Sequence, residues 1–167
     1  LPDFAEAGAV LVTEREGRLL LIEDGAAREV SGLPPIAAIG QGGLLDVALA
    51  PDFAESGRLF LSHAAPAGNG AANTAVTRAR LDRAGPRLTE VERIFEAASN
   101  GRGGRHFGSR LVFAPDGTLW ITTGDRADRP SAQDPFSPNG KVHRIAQDGA
   151  IPPDNPFASG EEALATI

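Results

Sequence analysis

A Pro-Asp element recurs along this chain and limits its fold more than any other feature. Leu1-Pro2-Asp3 returns as Ala50-Pro51-Asp52 and again as Ala114-Pro115-Asp116. Each copy is followed within a few residues by a turn glycine and a β-rich run: Ala9 to Thr13, Arg58 to Ser62 and Thr118 to Thr123. The prolines stand 49 and 64 residues apart, against about 40–50 residues for one four-stranded propeller blade. The longer interval has room for a loop, and Ala98 to Phe107, rich in glycine and arginine, fits it. The spacing predicts three tandem β units, one blade each, with boundaries near 1–39, 40–105 and 106–167.

The rest of the chain agrees with an all-β fold. The chain has 20 Gly and 13 Pro, spaced every few residues, and no long window keeps a 3.6-residue apolar period. Short apolar runs bounded by turn residues read as strands: Ala9 to Thr13 with Arg18 to Glu23, Leu44 to Ala50 with Arg58 to His63, and Thr74 to Asp82 with Glu90 to Ala97. Arg110 to Ala114, Thr118 to Thr123 and Lys141 to Ile145 follow. Pro115-Asp116-Gly117 has the chemistry of a tight turn between two such strands. An ordinary β-sandwich is the alternative that periodicity leaves open. Propellers close with about 4–8 blades, so three blades imply either assembly with further copies or about half of a larger protein. Open blade edges then predict that the chain alone is inactive and self-associating.

Composition removes several function classes. The formal charge of −6, from 16 Lys+Arg against 22 Asp+Glu, argues against a nucleic-acid or anionic-membrane binder. With no Cys, a disulfide scaffold, a cysteine-ligated zinc site and thiol catalysis are excluded. Apolar runs such as Leu19 to Ile22 fall far short of the roughly 20 residues of a membrane span.

Three histidines are present. His63, at a strand end, and His143, alternating with apolar residues in Lys141 to Ile145, read as surface or sheet-face residues. His106 differs, because it lies in the loop Gly103-Gly104-Arg105-His106-Phe107-Gly108 just before a strand. Such loops let the backbone approach a ligand closely. Asp125 ends the following strand. A hairpin over 110–123 brings its two open ends, and so His106 and Asp125, to one face. An imidazole oriented by a carboxylate suits a general base near neutral pH; a loop-tying hydrogen bond is the plainer reading. Gly40-Gln41-Gly42-Gly43 is no phosphate loop, since no Gly-Lys-Ser/Thr follows. Gln41 has one acceptor and two donors for a polar ligand, while a simple connection between blades is the plainer reading. Asp125, Asp128 and Asp134 are close enough in sequence to hold a hard cation, although solvation is the plainer reading, and no EF-hand loop is present. Arg102, Arg105 and Arg110 flank the His106 loop and would favour an anionic ligand.

Taken together, the motifs resemble those of the quinoprotein soluble aldose sugar dehydrogenases. They are Gly40-Gln41-Gly42-Gly43-Leu44-Leu45-Asp46, Pro51-Asp52-Phe53, the run from His106 to Gly117, Thr122-Thr123-Gly124-Asp125, Gly140 to Ile145, and Asp148 to Phe157. The resemblance implies a six-bladed β-propeller, with this chain covering about three blades. It also implies pyrroloquinoline quinone (PQQ) as cofactor, calcium to hold and polarise it, an aldose substrate and an external electron acceptor. In that family the matching His takes the proton of the anomeric hydroxyl, a role that falls on His106; the matching Asp orients it, which falls on Asp125. The Gln that touches the quinone falls on Gln41. Hydride passes from the anomeric carbon to the quinone, and a lactone results. Arg105 departs from members with an acidic residue there. The family's His-Arg-Asn-Pro-Gln-Gly segment, further basic cofactor contacts and the calcium ligands would follow Ile167, so no metal ligand is assigned here. A periplasmic or secreted location is implied by the family alone. Two rivals remain: a non-catalytic propeller binding module and a calcium-dependent lactonase-type hydrolase.

Overall fold

A computed structural model describes residues 8–99 and 103–167. The first copy of the Pro-Asp repeat, Leu1-Pro2-Asp3, and the loop residues 100–102, Arg102 among them, lie outside the described residues.

Ten strands form three antiparallel sheets. The first holds β1 (Val10–Glu14), β2 (Arg18–Glu23) and β3 (Ala26–Val30) in that order. The second runs β4 (Leu44–Leu49), β5 (Arg58–Pro66), β6 (Ala72–Asp82) and β7 (Arg87–Ala97). The third comprises β8 (Gly108–Phe113), β9 (Leu119–Thr123) and β10 (Val142–Ile145). Among the described residues helix is limited to one turn, α1 (Phe53–Ser56), and a 3-10 turn over Arg129–Gln133. Among the described residues no helix is long and apolar enough to cross a membrane.

Local chemistry explains the connections. β1 and β2 join through a turn in which Gly17 N–H donates to the Glu14 carbonyl at 2.9 Å. β8 and β9 join at Pro115-Asp116-Gly117, where Gly117 N–H donates to the Ala114 carbonyl and Asp116 Oδ1 accepts from both the amide and the hydroxyl of Thr118. Strand β3 was not expected. Its exposed Ala-Ala-Arg-Glu stretch has little apolar signal, but Asp24 and Gly25 both have positive φ (50° and 75°) and make the two-residue turn of a tight hairpin.

The sheets stack face to face, as blades do. β5 is buried on both faces: Leu59 and Leu61 join Leu19, Leu21, Leu44 and Leu88 in the core between the first two sheets. Phe60 points the other way, with Val76, Leu111, Leu119, Ile121 and Ile145, into the core between the second and third. A two-residue period with apolar groups at every position gives that result for a central strand covered on both sides.

Of the two readings of His63 and His143, as surface or as sheet-face residues, the same layering leaves the second. Both are inside, at 1% and 0% exposure. His63 Nε2 meets Thr77 Oγ1 at 2.8 Å, and His143 lies between Thr166 Oγ1 and the Pro138 carbonyl with its ring against Phe95. Burial disfavours the charged imidazole and lowers both to about 4.

Candidate active site

The site is built at the open end of the β8–β9 hairpin. β9 leads through Gly124 into Asp125, and the chain entering β8 carries His106. His106 Nδ1 and Asp125 Oδ1 lie 2.7 Å apart. Asp125 also accepts the Ala127 N–H at 2.9 Å. That amide first, and His106 second, hold the Asp125 carboxyl below the usual carboxylate range. An ionised carboxylate only accepts, so Nδ1 carries a proton, and in the neutral ring Nε2 is then the acceptor. The imidazole is half exposed (48%) while Asp125 is largely covered (22%). The pair therefore has a fixed back and an open front.

The approach of the two chain segments is close enough to dictate sequence. A side chain at Gly124 would place its Cβ 1.9 Å from the His106 carbonyl oxygen. Only glycine fits there. His106 itself takes φ 55°, a left-handed conformation uncommon for a residue with a side chain. It is held by hydrogen bonds rather than by propensity: its N–H donates to Gln41 Oε1 at 2.9 Å, and Gly124 N–H donates to the Phe107 carbonyl at 3.1 Å.

Gln41 thus comes from the second sheet's entry loop to meet the third sheet's histidine. Its own N–H donates to the Gly104 carbonyl at 2.6 Å. Gly40 beside it has φ 56°, and a Cβ there would lie 2.0 Å from the same carbonyl oxygen. The Gly-rich stretch is therefore a packing requirement of two loops in contact. Beyond the bond that Oε1 accepts from His106, the Gln41 amide has two N–H donors and a second lone pair on Oε1 for a ligand.

Below the rim, Phe107 is buried with the Arg126 guanidinium over its ring, 3.4 Å from the centroid. The loop after Asp125 is pinned by Lys141, whose ammonium donates to the carbonyls of Ser131, Ala132 and Asn139 at 3.2, 2.9 and 2.8 Å. A groove of about 620 Å³ lies between β4 and β8, lined by Val47, Leu49, Leu111 and Phe113 among others. His106, Gln41 and Asp125 are not part of it.

His106, Asp125 and Gln41 are brought together; the other candidates are not. Asp125, Asp128 and Asp134 make no cation site: among the described residues no group of three or more His, Cys, Asp or Glu could hold a metal ion. Asp125 faces His106, and Asp134 Oδ1 accepts its own loop's Phe136 N–H. Arg110 turns to Asp46 rather than to the His106 loop, and Arg105 stays exposed. Asp46, Lys141 and Gly104 support the site without having been singled out, because each acts through backbone groups that sequence spacing does not reveal.

The family model described as Glucose / Sorbosone dehydrogenase matches residues 2–167. Aldose sugar dehydrogenase YliI of Escherichia coli (strain K12) is 42% identical over 160 residues, covering 95% of this chain and 43% of that protein. Among solved structures, the soluble aldose sugar dehydrogenase of Escherichia coli in its apo-form matches with a TM-score of 0.92 at 41% identity, over 100% of this chain and 48% of the other. The PQQ-bound aldose sugar dehydrogenase of Streptomyces coelicolor matches with a TM-score of 0.80 at 28% identity, over 93% and 46%. The chain spans about half the length of these relatives, and its three sheets are partial blades of the propeller fold they share. The chain belongs to the glucose/sorbosone dehydrogenase family.

Proposed function

We propose that this chain provides the base-bearing part of a PQQ-dependent aldose sugar dehydrogenase, which oxidises the anomeric carbon of an aldose to a lactone. The observation that carries the reading is the 2.7 Å contact of His106 Nδ1 with Asp125, which in the neutral ring makes Nε2 the acceptor of a half-exposed imidazole. His106 Nε2 takes the proton of the anomeric hydroxyl. Asp125 then stabilises the imidazolium, as a carboxylate behind a catalytic histidine does.

The donors present suit a quinone. Beyond the bond that its oxygen accepts from His106, Gln41 keeps two N–H donors, and quinone carbonyl oxygens accept. Gln41 would hold PQQ from this side. When bound, PQQ supplies the two-electron oxidant that receives the hydride of the anomeric carbon. Calcium is a different matter: among the described residues no group of three or more His, Cys, Asp or Glu could hold it, and no step here runs through the metal. Reoxidation by an external acceptor and an extracytoplasmic location belong to the same proposal. We take 1–39, 40–105 and 106–167 as its three blades, with the remaining blades in the rest of the longer protein.

The test is dye reduction by the full-length protein loaded with PQQ and calcium, over a panel of aldoses. Aldose-dependent reduction that is lost in His106→Ala, with PQQ still bound, supports the reading. No reduction with any aldose by cofactor-loaded protein rejects it.

A further inference from the structure

The two lead strands of the second and third sheets are both irregular, and they are irregular opposite one another. β4 shifts register between Leu44 and Val47, and β8 between Gly108 and Leu111. A bulge leaves ladder groups unpaired and re-aims the chain beside it. In both strands side chains take up the freed amides. Asp46 N–H donates to Ser62 Oγ at 3.0 Å, and Arg110 N–H donates to Thr122 Oγ1 at 3.0 Å.

The remaining amide of the β8 bulge is met from the neighbouring blade. Leu111 N–H donates to Asp46 Oδ2 at 2.9 Å, across 65 residues of sequence. Arg110 Nη1 reaches both oxygens of the same carboxylate at 3.2 and 3.1 Å, and Val47 N–H donates to Oδ1 at 3.0 Å. The Asp46 side chain is 18% exposed, whereas Arg110 is 72% exposed. The covered contact to Leu111 is therefore the one that water competes with least.

The bulge begins two residues after His106. Ser109 within it takes φ 96°, which a regular strand would not allow. Without an acceptor for Leu111 N–H, β8 gains by pairing regularly with β9. A one-residue change of register turns each side chain of a strand to the opposite face, and His106 would be carried away from Asp125.

We propose that Asp46 is a positioning residue: by accepting the Leu111 amide it holds β8 in the bulged register that aims His106 at Asp125. The inference rests on the reading of His106 as the base, but its structural half is testable without activity. Imidazole ¹⁵N shifts report which ring nitrogen carries the proton. In the full-length protein the His106 signals are identified by their loss in His106→Gln.

The wild type should show His106 protonated on Nδ1. Asp46→Ala should move the neutral ring toward the Nε2-protonated form and lower aldose-dependent kcat about ten- to a hundredfold, with KM changed by no more than about twofold, as a misplaced base would. Asp52→Ala is the control. It breaks an ion pair to Arg58 at the connection between β4 and β5, and should leave the His106 tautomer as in wild type. If Asp46→Ala does not fold, Asp46→Ser keeps a local polar group but cannot reach Leu111, and is read in the same way.

An unchanged His106 tautomer in a folded Asp46 variant overturns the proposal. So does an equal change in Asp52→Ala, because the effect would then be general loosening. Absence of dye reduction in the wild type would count against the dehydrogenase reading alone; the tautomer comparison would still decide the role of Asp46.

Discussion

Asp125 Oδ1 stands 2.7 Å from His106 Nδ1 and accepts the Ala127 amide with the same oxygen. The carboxylate is thereby fixed before any ligand arrives, and it fixes the imidazole tautomer in turn. Asp125→Asn removes the charge that, in the proposed mechanism, would stabilise the imidazolium, and offers the ring a group that can donate as well as accept. Aldose-dependent kcat of the full-length enzyme should fall about a hundredfold or more, with KM little changed. Steady-state kinetics with a dye acceptor measures this.

Gly124 stands where a methyl group would meet the His106 carbonyl at 1.9 Å. Gly124→Ala must push the His106 segment away from β9. A stability loss of about 1–3 kcal/mol is expected from overpacking, together with a fall in kcat larger than that of an Ala substitution on the far side of the sheet. Urea unfolding and kinetics on one preparation separate the two effects.

His63 and His143 give the fold a pH dependence of its own. Both are buried neutral, with values lowered to about 4 from an ordinary 6.5. The unfolded chain therefore binds more protons between those limits, and stability falls as pH falls. The contribution is complete above about pH 6.5 and disappears as pH drops toward 4, by roughly 3 kcal/mol per histidine over the whole window. Urea midpoints from pH 7.5 to 4.5 should decline, and His143→Gln should flatten the decline. Asp116, lowered to about 2 chiefly by Thr118 and also by Arg144, contributes to acid unfolding only below about pH 4.

Val112, Trp120 and Val142 in the third sheet are 54%, 41% and 49% exposed, and Val10 and Val12 in the first are 53% and 36% exposed. Apolar side chains grouped on outer sheet faces in this way favour association. A polypeptide of these 167 residues should be inactive and elute from a sizing column above monomer size. Trp120→Glu should shift it toward the monomer. A wild-type polypeptide running as a stable monomer would contradict this.

Much of this architecture was legible because its turns are chemically explicit. Pro115-Asp116-Gly117 marks the β8–β9 hairpin, and the strands on either side alternate as they should. β3 escaped notice because all its side chains but Val30 are exposed and carry little apolar signal, although Asp24-Gly25 announced the turn before it. The burial of His63 and His143 was hidden for a different reason. A histidine at a strand position looks the same in sequence whether the face beyond it meets water or another sheet. The Asp46–Leu111 contact could not be read at all, since it joins two bulges 65 residues apart through a backbone amide that carries no sequence signature.

The most direct measurement of the central claim is single-turnover reduction of PQQ bound to the full-length protein, compared between wild type and His106→Ala at matched cofactor occupancy. The account predicts aldose-dependent reduction in the wild type and a loss of at least about a hundredfold in the variant, the usual scale for a general base. Reduction at the wild-type rate in His106→Ala with PQQ fully bound would contradict it.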